Sequence, residues 1–196
     1  MEHYNFFSIP VVRHQNIISN TEATEIFKYL IGLDNASPHE YMIGNGKTSG
    51  RTINPQVLKE FPQIEQNIQT LVDQFTEKLG VFQTKIINSW YNIQYDESEL
   101  KPHVHPLGAV SGALMVNVDD NSSGLRFRNP NYELMHFCWW LTSKETEYNK
   151  EYETFDKVKT GDLFLFPSYL YHGGVLNHTN ARAVIAFDCV YDLPKD

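Results

Sequence analysis

The sequence predicts a mainly β (α+β) fold, in which two N-terminal helices are followed by a β-sandwich or jelly roll. Two observations carry that expectation. Five segments from residue 85 onward, 86–95, 111–118, 124–127, 162–167 and 182–191, are rich in β-branched and aromatic residues and are separated by turn-forming residues instead of helices. In the first half, apolar residues recur at intervals of three and four, the spacing of a helix with one buried face.

In chain order, 6–12 reads as a short strand. Ser19, Asn20 and Thr21 offer N-caps to a helix over 23–33. The stretch 44–50, Gly-Asn-Gly-Lys-Thr-Ser-Gly, is a loop on composition; it lacks the GxxxxGK[ST] order of a phosphate loop. Residues 55–80 predict the clearest helix. Val57, Leu58, Phe61, Ile64, Ile68, Leu71, Val72, Phe75 and Leu79 form its buried stripe, and Gly80 suits its C-terminal stop. These two helices, in a helical part over about 1–80, are expected to brace one outer face of a β core spanning about 85–196. Residues 129–159 interrupt the strand rhythm with Trp139, Trp140 and several Tyr and Glu residues. They read as a long insertion, with the tryptophan pair a candidate substrate lid. No repeat or Gly/Ser/Pro-rich linker divides the chain, so 1–196 is expected to be one domain.

Bulk composition narrows the functional classes. With 41% hydrophobic and 20% charged residues, the 196-residue chain is ordinary for a globular protein. A formal net charge of −8 argues against broad binding to nucleic acid, which needs a basic face. No apolar run reaches the length that spans a bilayer, and the start Met-Glu-His-Tyr-Asn lacks the basic and apolar regions of a secretory signal. Cys138 and Cys189 do not make a disulfide framework. The expectation is a cytoplasmic protein with no membrane partner.

Chemistry concentrates in three of the eight histidines. His103 and His105 stand two apart, so on a strand both imidazoles point to one face. His172 follows the apolar strand Leu163-Phe164-Leu165-Phe166-Pro167 and precedes Gly173-Gly174. Three donors with open positions opposite are what an oxygen-activating iron needs, although imidazole suits zinc, copper and nickel equally.

The flanking sequence adds more. Lys101-Pro102-His103-Val104-His105-Pro106, then 111–117 (Ser-Gly-Ala-Leu-Met-Val-Asn), 123–127 (Ser-Gly-Leu-Arg-Phe), 160–172 (from Thr-Gly-Asp through Phe-Pro to His172) and Arg182-Ala183-Val184 together resemble the 2-oxoglutarate/iron(II) oxygenase superfamily. The chain looks closest to small oxygenases with an HxHP…SG pattern, found in bacteria and in viruses that infect them. The resemblance runs from Trp90-Tyr91-Asn92 to Phe187. It implies a double-stranded β-helix (jelly-roll) fold, iron(II) and 2-oxoglutarate as cofactors, and O₂ as cosubstrate. The implied reaction is hydroxylation of a further substrate with release of succinate and CO₂. His103 and His172 would be metal ligands, and His105 falls where most of the superfamily has Asp or Glu. Arg182 matches the basic residue that pairs with the far carboxylate of 2-oxoglutarate, for which a planar guanidinium fork is well suited. Met115 stands where relatives often carry Tyr, which shifts cosubstrate binding toward Arg182 and Ser111. Trp90, Asn92 and Gln94 alternate onto one strand face beside that pocket, and Leu125 forms an apolar wall.

Two other readings keep the three histidines: a cupin-like metalloenzyme that does not use 2-oxoglutarate, and a non-catalytic metal-binding protein. The direction of Arg182 discriminates the 2-oxoglutarate reading from the cupin-like one, since 2-oxoglutarate use loses its main support if the guanidinium points away from the metal. His136 and Cys138 read as packing within the insertion, and His178 as a solvated turn residue.

Overall fold

A computed structural model describes residue 2 and residues 8–52 and 55–193. The chain runs β1 (Val12–His14), α1 (Asn20–Gly32), β2 (Met42–Ile43), β3 (Gly46–Thr48), a 3₁₀ turn (Val57–Glu60), α2 (Pro62–Leu79), β4 (Thr84–Gln94), β5 (Glu99–Leu100), β6 (Val110–Asn117), β7 (Leu125–Arg128), α3 (Tyr132–Cys138), β8 (Tyr152–Phe155), β9 (Leu163–Pro167), β10 (His172–Gly174) and β11 (Arg182–Tyr191).

Six strands make the major sheet in the order β1-β9-β6-β11-β4-β3, every pair antiparallel. A minor sheet, β10-β7-β8, is antiparallel as well. The β2–β5 pair lies beside it, because bridges Ser98↔Asn177 and His103↔His172 run the 98–103 segment along β10. This is the mainly β, antiparallel architecture expected from the strand run.

Strand alternation sorts the side chains into two cores. From β11, Ala183, Ile185, Phe187 and Cys189 join one cluster with Tyr91 and Ile93 of β4, Leu114 and Val116 of β6, and Leu163 and Leu165 of β9. That cluster also holds Ala23, Ile26 and Leu30 of α1 and Ile64, Ile68, Val72 and Phe75 of α2, so both helices pack on this side of the major sheet. The opposite side of the same strands gives Val184, Ala113, Met115, Phe164 and Phe166. These pack with Leu125 and Phe127 of β7 in a second cluster, between the sheets. The central strands β6, β9 and β11 are thus buried on both faces over most of their length, and the side chains on their second face lead toward the site.

The helices start where local chemistry dictates. Ser19 caps α1, accepting from the Glu22 backbone while the Glu22 carboxylate accepts from the Ser19 N–H, a reciprocal capping box of the kind that stabilises a helix by about 1 kcal/mol. The helix expected over 55–80 is shorter and divided. Val57 and Leu58 are buried in the 3₁₀ turn, and α2 begins at Pro62. A proline holds the residue before it out of the helical region, and Phe61 sits at φ −128°, ψ 65°. Gly80 closes α2 in the left-handed conformation at φ 67°, the stop its sequence position suggests.

Other expectations shift. Phe6 and Phe7 of the strand expected over 6–12 lie outside the described residues, and the strand that forms is β1, at Val12–His14. The region expected to be helical up to about residue 80 also contains β1, β2 and β3, and the 44–50 loop supplies β3 as an edge strand on β4. Strands of two or three residues are too short to show a period. Within 129–159, Tyr152–Phe155 pairs with β7 and is part of the minor sheet, so this interval is not wholly an insertion.

Candidate metal centre

His103 and His172 are opposed across the β10 edge, and each backbone N–H donates to the other's carbonyl, at 2.9 and 3.0 Å. Such a pair places both side chains on one face of the sheet. His105 lies on the chain beyond His103, its N–H donating to the Ser168 carbonyl at 3.1 Å. The rings converge, with centroids 4.7 Å apart for His103–His172 and 5.0 Å for His105 with each of the others. One nitrogen from each of the three lies within 4.8 Å of the other two. This is the set expected from the spacing.

The hydrogen bonds decide which nitrogen is free. His103 Nδ1 meets the Lys101 carbonyl at 2.9 Å, and His172 Nδ1 meets the Leu170 carbonyl at 2.8 Å. A carbonyl only accepts, so both Nδ1 atoms carry the proton and both Nε2 atoms keep a lone pair. His105 Nδ1 meets Asp188 Oδ2 at 2.8 Å, while its Nε2 is buried with no hydrogen-bond partner. An unpaired buried nitrogen facing two other imidazoles is what a bound cation would satisfy, and hydrogen-bonded Nδ1–H groups are the usual outer support of metal-bound histidine. Burial pushes the His103 imidazole down to about 4, and burial followed by the adjacent His103 charge holds His172 well below the ordinary 6.5. Both are neutral and ready to donate at physiological pH.

Two cavities meet at the histidines. The smaller and more enclosed one is lined by all three, by Trp90, Asn92, Ser111, Met115 and Leu125, and by Arg182. Arg182, opposite Gln94 in the β11–β4 register, is 3% exposed. Its guanidinium donates to Gln94 Oε1 at 2.5 Å and reaches Met115 Sδ at 3.6 Å; its Nε has no partner. No carboxylate pairs with it among the described residues, and burial pushes its pKa down to about 10. A buried guanidinium normally has an anion beside it. The Arg182 side chain lines the cavity of the histidines, with the Met115 thioether against its guanidinium.

The remaining sequence candidates divide. Asn92, Leu125 and Ser111 line the small cavity, but the Ser111 hydroxyl is engaged, donating to Asp188 Oδ1 at 2.7 Å and lying 2.8 Å from Ser168 Oγ. Trp90 stacks on His105 with centroids 5.3 Å apart. Trp139 and Trp140 are 54% and 69% exposed and line a separate hollow with Cys138, Leu141 and Tyr148, away from both cavities at the histidines. His178 and Cys138 are exposed, and both cysteines are free. Asp188 and Tyr41 were not singled out from the sequence. Tyr41, in the loop before β2, stacks on His103 at 5.4 Å. Asp188 belongs to the Arg182, Val184, Ala186 face of β11, a signal that alternation could have supplied.

A family model described as "Putative 2OG-Fe(II) oxygenase" matches residues 88–188, just over half of the 196-residue chain and nearly all of the strands around the site. The chain belongs to the 2OG-Fe(II) oxygenase family. Solved structures agree on the fold. An oxidoreductase of the 2OG-Fe(II) oxygenase family from Burkholderia pseudomallei superposes with a TM-score of 0.62 at 11% identity, over 92% of this chain and 85% of that one. HygX from Streptomyces hygroscopicus, solved with nickel and 2-oxoglutarate bound, gives 0.61 at 11% identity over 96% and 85%. A Pseudomonas putida prolyl-4-hydroxylase gives 0.58 at 12% over 93% and 94%. No curated protein sequence matches the chain. Among the described residues of this oxygenase, no helix is long and apolar enough to cross a membrane.

Proposed function

We propose that this chain is a 2-oxoglutarate-dependent dioxygenase acting as one domain over 1–196, with iron(II) held by the Nε2 atoms of His103, His105 and His172. The far carboxylate of 2-oxoglutarate would pair with Arg182. The observation that carries this reading is the buried Arg182 guanidinium, which lacks an anion and shares its cavity with three imidazoles. Iron(II) with 2-oxoglutarate supplies O₂ activation coupled to loss of CO₂ and formation of succinate, and hydroxylation of the substrate is the simplest outcome. The chain's part is to bind and orient. Arg182 and Gln94 fix the cosubstrate's far end, Leu125, Met115 and Phe166 keep water from its stem, and the Nδ1 hydrogen bonds aim the three ligands.

The primary substrate would approach through the larger, more open cavity of about 440 Å³, which shares His103, His105, Trp90 and Asn92 with the smaller one. Its walls include Tyr41, Trp90, Met42, Leu107 and Val190. It has no Lys or Arg, and its one carboxylate, Asp188, is already paired. Such a lining favours a neutral, partly apolar group over a phosphate or carboxylate. A three-histidine metalloenzyme that makes no use of 2-oxoglutarate would leave the Arg182 charge uncompensated.

The test is succinate formation from 2-oxoglutarate with iron(II) and O₂, wild type against His172→Ala and Arg182→Ala. Turnover by wild type that both substitutions abolish is the expected result. Equal succinate from all three proteins, or none from wild type with 2-oxoglutarate in excess, would overturn the proposal.

A further inference from the structure

We propose that Asp188 is a positioning residue of the metal centre, holding His105 in its Nδ1–H form and supplying from one bond further out the negative charge that three neutral imidazoles lack. This rests on the reading of His103, His105 and His172 as ligands. Asp188 is the only acidic side chain lining either cavity among the described residues. Its two oxygens are divided: Oδ2 accepts from His105 Nδ1 at 2.8 Å, and Oδ1 accepts from the Ser111 hydroxyl at 2.7 Å. Ser111 Oγ lies 2.8 Å from Ser168 Oγ, and the Ser168 carbonyl accepts the His105 backbone N–H, so a closed circuit ties both ends of His105 to one carboxylate.

The strand geometry supports the same role. β4 carries one extra residue, Ile87, opposite the Asp188–Cys189 step of β11, and bulges of this kind re-aim side chains beside sites. A plain ion pair accounts for less. A doubly protonated His105 would bury an Nε2–H with no acceptor, between two rings that already carry their protons on Nδ1. With Nδ1–H donated to the carboxylate, the Nε2 lone pair becomes a stronger donor toward a cation, and outer partners of this type contribute about 10–100-fold to metal affinity.

The test is cobalt(II) and iron(II) affinity by chelator competition, wild type against Asp188→Asn. Asparagine keeps the shape and an acceptor oxygen but not the charge. We expect affinity to fall about 10–100-fold and the Fe(III)/Fe(II) potential to rise. Affinity and potential both at wild-type values in the Asn variant would show that the carboxylate charge plays no part at the metal centre, and that result overturns the proposal. Should the variant not fold, nitrogen and proton NMR of the wild-type histidines decides. A far-downfield Nδ1 proton on His105 is expected, and an Nε2–H tautomer refutes the assignment. Metal affinity is read without turnover. An inactive wild type whose metal affinity depends on Asp188 would thus fail the oxygenase proposal alone.

Discussion

Gly173 lies beside the strand that carries His103, so close that a Cβ on it would fall 2.6 Å from the Leu100 carbonyl oxygen and 2.9 Å from the Pro102 nitrogen. Both are backbone atoms, which no side-chain rotation can move aside. The close approach is what allows His103 and His172 to exchange their two backbone hydrogen bonds. Glycine is needed here for contact, not for an unusual dihedral.

Gly173→Ala should therefore separate the two histidines. We expect a loss of about 1–3 kcal/mol of stability from overpacking, together with weakened metal binding. Thermal melting and cobalt(II) titration measure the two effects. A variant that melts lower yet binds cobalt as tightly as wild type would show that the close approach serves packing alone.

Arg182→Ala should raise the Kd for 2-oxoglutarate by at least about 30-fold, since removing one side of a buried charge pair costs about 2–5 kcal/mol. Arg182→Lys should recover only part of this, because an ammonium cannot make the two parallel bonds of a guanidinium. Calorimetric titration of the metal-loaded protein reads both. Metal affinity should stay unchanged in both variants, since Arg182 is not a ligand.

Acid should destabilise the metal-free protein earlier than its carboxylates alone would. Burial lowers the His103 pKa to about 4, and His172 is held well below 6.5 by burial and by His103. The unfolded chain therefore binds more protons than the folded one as pH falls from 6.5 toward 4. The stability contributed by these neutral imidazoles is complete above pH 6.5 and is lost through that window. Urea midpoints between pH 7 and 5 should fall in wild type and fall less steeply in His103→Asn. Parallel curves would contradict the burial-driven shift.

Replacing Trp139 and Trp140 together by Ala should leave metal affinity and 2-oxoglutarate binding within about twofold of wild type and stability within about 0.5 kcal/mol per site, as for other exposed positions remote from a site. These side chains line a hollow of their own. A marked loss of cosubstrate binding, measured by the same titration, would return them to the role of a lid.

The parts of this molecule legible in its sequence are those that follow a period. Strand β11 was readable to the residue, because Arg182–Tyr191 alternates between two buried faces and is flanked by turn residues. His103 and His105 could be placed on one face for the same reason. The circuit of Asp188, Ser111 and Ser168 was not legible, since it joins two strands to the turn after β9 beside a bulge, and no local pattern encodes a bulge. Ser111 shows the cost: it lines the small cavity, but its hydroxyl donates to the Asp188 carboxylate. The start of α2 was not legible from periodicity, because the apolar spacing runs on through Val57, Leu58 and Phe61 while Pro62 is the first helical residue. The tryptophan pair was read as a lid from the length of the interval that carries it, and length alone does not say which hollow a side chain faces.

The two-sided burial of β11 makes that strand a ruler with no slack. Arg182, Val184, Ala186 and Asp188 face the site, whereas Ala183, Ile185, Phe187 and Cys189 face the helices. Inserting or deleting a single residue would exchange the two sets, driving a guanidinium and a carboxylate into the layer beneath α1 and α2 and turning Phe187 and Ile185 toward the histidines. Point changes along the strand can be absorbed one at a time, but changes of length cannot. Variants of this chain that keep both packing and chemistry should accumulate insertions in the 129–150 stretch and none between Arg182 and Asp188.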